Sequence, residues 1–300
     1  MTSDLDFSTF LAAPDAEVAA IAPATAIVAF GGTRRSAALA GVDRMSPAYM
    51  PWLRAGMLNC FDLLFRHGVR HIIAPLAIGK HLAEAGSMRA QLIGALDWGF
   101  AGAEALADYR RHEWRVRLIG TESVPELVST GERLRAETTS SDVPTLWFSV
   151  CPDPEASLAA VLHTAAQSGA RTRDQAVRAL YGEAIPLATL LLGFGKPVFS
   201  YDLVPPLLAG RLQCYWMQRP GYALDQPMLR MVLYDYAYTR RTGSGTDRGG
   251  RYAGIGAQRA AWETDWVLGV GVPLGGFWFP APFGGLVEQS VELDEEGGRG

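Results

Sequence analysis

The stretch "IVAFGGTRRSAALAG", residues 27 to 41, combines the residue types of an anion-binding turn. An apolar run ending at Phe30 leads into Gly31 and Gly32, and Arg34 and Arg35 follow. Two glycines allow the chain to turn sharply and expose its backbone N–H groups, and paired arginines add positive charge. The sequence therefore predicts an anion site at the end of a strand, with an aromatic ring directly before the glycines.

Lys80 and His81 follow a second apolar run, residues 69 to 78, which has the pattern of a buried parallel strand. Ligands of parallel sheets gather at such strand ends. His81 is therefore a candidate general base and Lys80 a candidate anion contact. The alternative is that both are surface charges at the start of a helix.

Polar residues also follow two later strands. Asp153, in "CPDP", is a candidate acid or base, although the pattern favours an N-cap for the helix that begins at Glu155. Cys151, with no identified partner, is interpreted as a small core residue. Lys196, in the tight turn "GFGKP", is a further candidate anion contact.

Composition bounds the class of protein. The 300 residues are 49% hydrophobic and 19% charged, which favours one large core or an apolar cavity. The net charge of −4 gives no global field that would attract nucleic acid. Three scattered cysteines do not form a disulfide framework or a zinc site. We expect a cytoplasmic protein without a secretory signal or membrane span, and leave contact with a membrane surface open.

Strand and helix patterns alternate along most of the chain, which predicts an α/β fold with a wound, mainly parallel sheet flanked by helices. We expect an N-terminal arm over residues 1–20, the α/β domain over 21–242 and an extension over 243–300. The extension has a Gly-rich basic loop, interpreted as a flexible loop or a lid over phosphate, an aromatic "FWF" segment at 277–279 and an acidic tail.

The order of these pieces resembles the cis-prenyltransferases, the undecaprenyl diphosphate synthase-like proteins, over about residues 20 to 242. "AFGGTRRS" stands where that family has D-G-N-G-R-W, and "LRAGMLNC" resembles its H-R-A-G helix. "WRVRLIG" matches V-R-x-x-x-I-G, and "LLLGFGKPVFSYDL" stands at the R-T-S-G-E-x-R element. The resemblance implies a homodimer whose ligand is an isoprenoid diphosphate or another apolar small molecule.

The departures from the family pattern concern its catalytic residues. The signature Asp, which holds Mg²⁺ and the allylic diphosphate, is replaced by Phe30, and the early His by Leu53. Lys80 and His81 stand in the Glu-Asn-Trp stretch, and the late arginines are lost around Lys196. Of the family's phosphate contacts, Arg34 matches, beside Arg35. Phe30 is interpreted as a core aromatic or as a wall of a prenyl tunnel whose ring covers a carbocation.

The resemblance therefore implies a divergent enzyme of prenyl diphosphates, performing prenyl transfer, condensation or terpene cyclisation. Its diphosphate site is expected to involve Gly31, Gly32, Arg34, Arg35, Lys80 and Lys196, without a cofactor. Mg²⁺ binding is left open. One alternative is a non-catalytic partner subunit or ligand-binding protein of this fold. Another is a reaction without diphosphate that uses His81, Asp153 and Cys151.

Overall fold

The computed structural model describes residues 6–78, 82, 86–139, 143–151, 153–239, 259, 263, 269–274 and 277–280. The helices are α1 (Phe7–Ala12), α2 (Asp15–Ala19), α3 (Thr33–Leu39), α4 (Tyr49–Arg66), α5 (Gly86–Ala101), α6 (Ala103–Arg111), α7 (Val128–Glu137), α8 (Pro154–Ser168), α9 (Arg173–Tyr181) and α10 (Gln226–Tyr234). The strands are β1 (Thr25–Ala29), β2 (His71–Ile78), β3 (Arg115–Ile119), β4 (Thr145–Cys151), β5 (Ala188–Phe194), β6 (Ala209–Met217), β7 (Gly271–Leu274) and β8 (Phe277–Pro280).

Six strands form one parallel sheet in the order β3-β4-β2-β1-β5-β6, which confirms the predicted fold class. β1 pairs with β2 on one side and with β5 on the other. The segments that follow these three strands therefore leave the sheet at the same edge. This edge is where a wound parallel sheet presents its ligand site.

Both faces of the sheet are covered, as the continuous apolar strands require. Phe61 and Leu64 of α4 pack with Phe148 on one face. Ile27 and Trp147 pack with Val177 of α9 on the other. Alternate residues of each strand point to opposite faces, so β1 and β4 contribute to both layers of the core.

Helices α5 and α6 lie between β2 and β3 and meet at Gly102. A Cβ at this position would lie 2.5 Å from the carbonyl oxygen of Trp98, so the tight junction between the helices requires glycine. Between β3 and β4, a 3₁₀ turn at Pro125–Leu127 leads directly into α7. The sequence pattern predicts neither this turn nor the junction at Gly102.

The N-terminal arm is helical and packs on the domain. Phe10 of α1 and Val18 of α2 are buried in the main core. Arg230 of α10 donates hydrogen bonds to the carbonyl oxygens of Leu11 and Ala13, at 2.7 and 2.6 Å, and pairs with Asp15. This buried arginine fastens α1 and α2 to the body of the protein.

In the extension, β7 and β8 form an antiparallel hairpin that the sequence did not predict. The side chains of the "FWF" segment, the Gly-rich loop and the acidic tail lie outside the described residues, as do Lys80 and His81. Within the described part, none of the helices is long and apolar enough to cross a membrane.

Candidate functional site

The Gly31–Gly32 turn connects β1 to α3 and lies tightly against the end of β5. A Cβ at Gly31 would lie 2.4 Å from the carbonyl oxygen of Phe194, so only glycine fits there. Gly32 has φ +72°, in the left-handed region that favours glycine. The amide of Gly221 donates a 3.2 Å hydrogen bond to the oxygen of Gly31, which brings a distant turn onto the same corner.

Three of the predicted anion contacts lie on the two segments that leave neighbouring strands β1 and β5. The Arg35 guanidinium passes close to Gly32 and Gly195, since a Cβ on these glycines would meet its terminal nitrogen at 2.7 and 2.9 Å. Arg34 and Lys196 are exposed. Arg35 therefore links the two strand ends where the sequence predicted an anion site, whereas the contact of all three side chains with a ligand stays a prediction.

Phe30 occupies the centre of an aromatic cluster at the same corner. Its ring is parallel to that of Phe194 at a centroid distance of 5.9 Å and meets Phe61 edge-on at 5.4 Å. Tyr222 lies 5.5 Å away, and Trp52 packs on Tyr222 at 5.7 Å. Both interpretations of Phe30 have support, because the ring packs in the core and also lines the cavity described next.

An apolar cavity of about 260 Å³ opens beside this corner, between α4, α5 and the end of β2. Aliphatic and aromatic side chains form most of its wall. The lining residues are Phe30, Thr33, Met50, Leu53, Arg54, Met57, Pro75, Leu76, Ala95, Leu96, Trp98, Gly99, Phe100 and Tyr222. Small-molecule sites typically have volumes of about 300–1,000 Å³, so this cavity suits the apolar part of a small ligand.

Gly99 leaves part of the cavity unfilled. It lies in the last turns of α5, and a Cβ at this position would meet nothing within 4 Å. Glycine in a helix costs about 0.5–1 kcal/mol relative to alanine. Gly99 therefore makes α5 less stable than alanine would, and it leaves open space in the wall of the cavity.

Arg54 places a charged group in the otherwise apolar wall, and sequence reasoning missed it. Its guanidinium pairs with Asp108 and, at 3.0 Å, with Glu104, and lies 5.9 Å from the centre of the Trp98 ring. The two carboxylates are four residues apart on α6, which puts them on one helical face. That spacing is the sequence signal that would have indicated a buried cationic partner. The ion pairs join α4 to α6 beside the cavity.

Asp153 performs the capping role that its sequence pattern favoured. Its carboxylate accepts a 3.0 Å hydrogen bond from the backbone amide of Glu155 at the start of α8. Asp153 does not line the cavity.

Cys151, at the end of β4, is buried, and burial raises the pKa of its thiol, which disfavours the reactive thiolate. Catalytic roles for Asp153 and His81 stay predictions.

The donor groups at this corner do not fit the Mg²⁺ ion that the family resemblance implies. Mg²⁺ prefers carboxylate and water oxygens, whereas Phe30 presents a hydrocarbon ring at the position of the family carboxylate. Within the described ranges no group of three His, Cys, Asp or Glu side chains could hold a metal ion. Among the described residues that directly follow β1 and β5, Arg34, Arg35 and Lys196 supply the charge.

Two solved structures share this fold. Lavandulyl diphosphate synthase from Lavandula x intermedia, in complex with dimethylallyl diphosphate, superposes with a TM-score of 0.55 at 12% identity, covering 79% of this chain and 99% of that one. A probable undecaprenyl diphosphate synthase from Campylobacter jejuni gives 0.56 at 11% identity, covering 74% and 98%. The fold is therefore that of the cis-prenyltransferases.

Sequence comparison defines the relationship more closely. The chain is 39% identical over 288 residues to (+)-kolavelool synthase of Herpetosiphon aurantiacus, covering 96% of both chains. It is 26% identical over 274 residues to tuberculosinyl adenosine transferase of Mycobacterium tuberculosis, covering 86% of this chain and 90% of that one. No family model matches the chain. The chain belongs to the cis-prenyltransferase-like family of (+)-kolavelool synthase, as a divergent member with Phe30 in place of the signature carboxylate.

Proposed function

We propose that the protein is a terpenoid-forming enzyme that ionises a prenyl diphosphate at the Gly31–Arg35 turn. The observation that carries the proposal is that a positively charged turn lies beside an apolar cavity. Arg35, which follows β1, reaches Gly195 after β5, and Phe30 and Thr33 of the same turn line an apolar, partly aromatic cavity. A prenyl diphosphate has the same two parts, a highly charged head and a hydrocarbon chain. Kinship with (+)-kolavelool synthase, a terpene synthase, supports the same class of reaction.

The cationic end binds and stabilises the leaving group. When the allylic C–O bond breaks, both electrons depart with the diphosphate, whose negative charge increases. Arg34, Arg35 and Lys196 supply positive charge to that oxygen, and the arginine guanidinium can bind phosphate with two parallel hydrogen bonds. We propose that these side chains perform the neutralisation that Mg²⁺ performs in the family pattern.

The apolar end holds the carbocation away from bulk water. The rings of Phe30 and Tyr222 line the cavity, and their π faces are suited to a cation there. The cation is consumed either by losing a proton to form an alkene or by forming a bond to a nucleophile's lone pair, after which the nucleophile releases its proton to a base. The name of one relative, an adenosine transferase, matches the second outcome. Of the two predicted bases, His81 is the candidate for this step, because Asp153 caps α8 and does not line the cavity.

The proposal is tested by incubating the protein with geranyl, farnesyl and geranylgeranyl diphosphate and measuring diphosphate release and apolar products. Arg34→Ala should lower kcat/KM roughly 10–100-fold, since a hydrogen bond to a charged group contributes about 1.5–3 kcal/mol. Arg178→Ala, which removes an exposed arginine of α9, is the matched control and should leave turnover unchanged. If none of the three substrates releases diphosphate, the non-catalytic alternative takes the place of this function.

We also propose a homodimer, as the family resemblance implies. α8 presents Leu158 and Leu162 to solvent one helical turn apart, with Leu162 67% exposed. Light scattering on the wild type and on Leu162→Glu tests this face. A dimer that the substitution dissociates supports it, whereas a wild-type monomer at micromolar concentration contradicts it.

A further inference from the structure

We infer that the edge of the sheet around the cavity binds an anionic lipid surface. The rim is defined here as residues 33–50, which follow β1, and residues 195–204, which follow β5. Because β1 and β5 are neighbouring parallel strands, both segments leave the same edge of the sheet. Phe30, Thr33 and Met50 also line the cavity, so the first segment runs along its opening.

The rim exposes more large apolar side chains than its length accounts for. Six of the twelve large hydrophobic residues that stay exposed in the described part of the chain lie on these 28 residues. Leu39 and Met45 are each 80% exposed, and the neighbouring Val198 and Phe199 are 52% and 58% exposed. The remaining two are Met50 and Tyr201. Exposed apolar residues that concentrate on one surface indicate an interaction site.

The charge of the rim favours an anionic partner. It carries Arg34, Arg35, Arg44 and Lys196 against Asp43 and Asp202, a net charge of +2 in a chain whose total is −4. Both carboxylates have partners on the rim itself, since Asp43 accepts a 2.9 Å hydrogen bond from the Met45 amide and Asp202 accepts one from Ser200. Apolar side chains interspersed with cations are typical of surfaces that lie in the headgroup region of anionic membranes.

The exposed apolar side chains and the positive charge of the rim favour an anionic lipid surface as its partner. The cavity behind the rim is apolar, and a prenyl chain that reaches it from a bilayer avoids exposing its hydrocarbon to water. This functional consequence rests on the proposed function, whereas the binding of lipid by the rim does not. Binding and turnover can therefore be measured and can fail separately.

Vesicle sedimentation tests the inference with a matched pair of variants. Met45→Glu puts a negative charge on the rim, and Met231→Glu makes the same change at a 51% exposed position of α10. The wild type should sediment with vesicles of phosphatidylcholine and phosphatidylglycerol, but not with phosphatidylcholine alone, and binding should weaken as salt is raised. Met45→Glu should weaken binding about tenfold or more, and Met231→Glu should bind as the wild type does.

Several outcomes overturn the inference. Failure of the wild type to sediment with anionic vesicles overturns it, and so does an equal loss of binding in the two variants. Dissociation of a dimer by Met45→Glu, measured by light scattering, would make a second copy of the chain the occupant of the rim. Turnover of geranyl diphosphate without vesicles should be the same in the wild type and Met45→Glu. If no form turns over substrate while vesicle binding follows the predicted pattern, the lipid surface stands and the proposed function fails.

Discussion

Filling the space beside Gly99 should shorten the hydrocarbon chain that the enzyme accepts. Gly99 lines the cavity, and a Cβ there would meet nothing within 4 Å, so a larger side chain would extend into the cavity. Gly99→Leu adds four carbon atoms, which would displace about four carbons of a long substrate chain. At about 0.8 kcal/mol for each buried CH₂ group, the loss is about 3 kcal/mol. This corresponds to a decrease of about a hundredfold in kcat/KM for a chain long enough to reach that space.

The assay compares kcat/KM for geranyl and geranylgeranyl diphosphate in three proteins. Gly99→Leu should keep the activity of the wild type on the short substrate and lose it on the long one. Gly94→Leu is the matched control, because Gly94 is an exposed glycine of the same helix, its Cβ position is also open, and it does not line the cavity. Equal losses on both substrates, or equal effects of the two substitutions, would refute the assignment of this cavity to the prenyl chain.

Three further predictions concern Phe30, Asp153 and His67. Phe30→Asp, which restores the family carboxylate, should destabilise the fold by several kcal/mol because the charge would lie among Phe61, Phe194 and Tyr222; thermal unfolding beside Phe30→Leu checks this. Asp153→Ala should lower the free energy of unfolding in urea by about 1 kcal/mol, because the cap of α8 is lost. Asp153→Asn should keep both stability and kcat, and a large fall in its kcat would instead support a catalytic carboxylate. Burial lowers the pKa of His67 below its ordinary value of 6.5, so the unfolded chain binds the proton more tightly and the free energy of unfolding should fall as pH drops below 6.5. In urea unfolding at several pH values, this fall should be smaller in His67→Gln than in a control with the exposed His163 replaced. Equal pH dependence in the two variants would contradict this.

The parts of the fold that local pattern controls could be predicted from the sequence. The segment "WRVRLIG" ends at Gly120, and β3 ends directly before this residue. The φ of +86° at Gly120 and the 2.1 Å distance from its Cβ position to the Val150 oxygen exclude other residues. The interruption at Gly102 could not be predicted, since the clash that requires glycine arises only when α5 and α6 have formed. The same holds for the β7–β8 hairpin, whose short strands carry little periodic signal.

In the candidate site too, local sequence pattern predicts some residues, and tertiary packing brings in the others. Arg34, Arg35 and Lys196 could be assigned to one edge of the sheet, because each follows a recognisable strand and neighbouring parallel strands end at the same edge. Their contact with a ligand stays a prediction. Tyr222 was missed, since it reaches Phe30 from almost two hundred residues further along the chain, through the contact of Gly221 with Gly31. Its place at the cavity depends on tertiary packing that no local pattern specifies. The aromatic replacement at Phe30 was visible in the sequence, but the cluster around it was not.

The central claim is that arginine and lysine side chains, rather than Mg²⁺, neutralise the diphosphate, and calorimetric titration tests it most directly. Geranyl and farnesyl diphosphate would be titrated into the wild type and Arg34→Ala, each with Mg²⁺ and with a chelator. The account predicts wild-type binding of similar affinity in both conditions, with a loss of roughly tenfold or more in Arg34→Ala. Binding that appears only with Mg²⁺, or that is indifferent to Arg34, would contradict it.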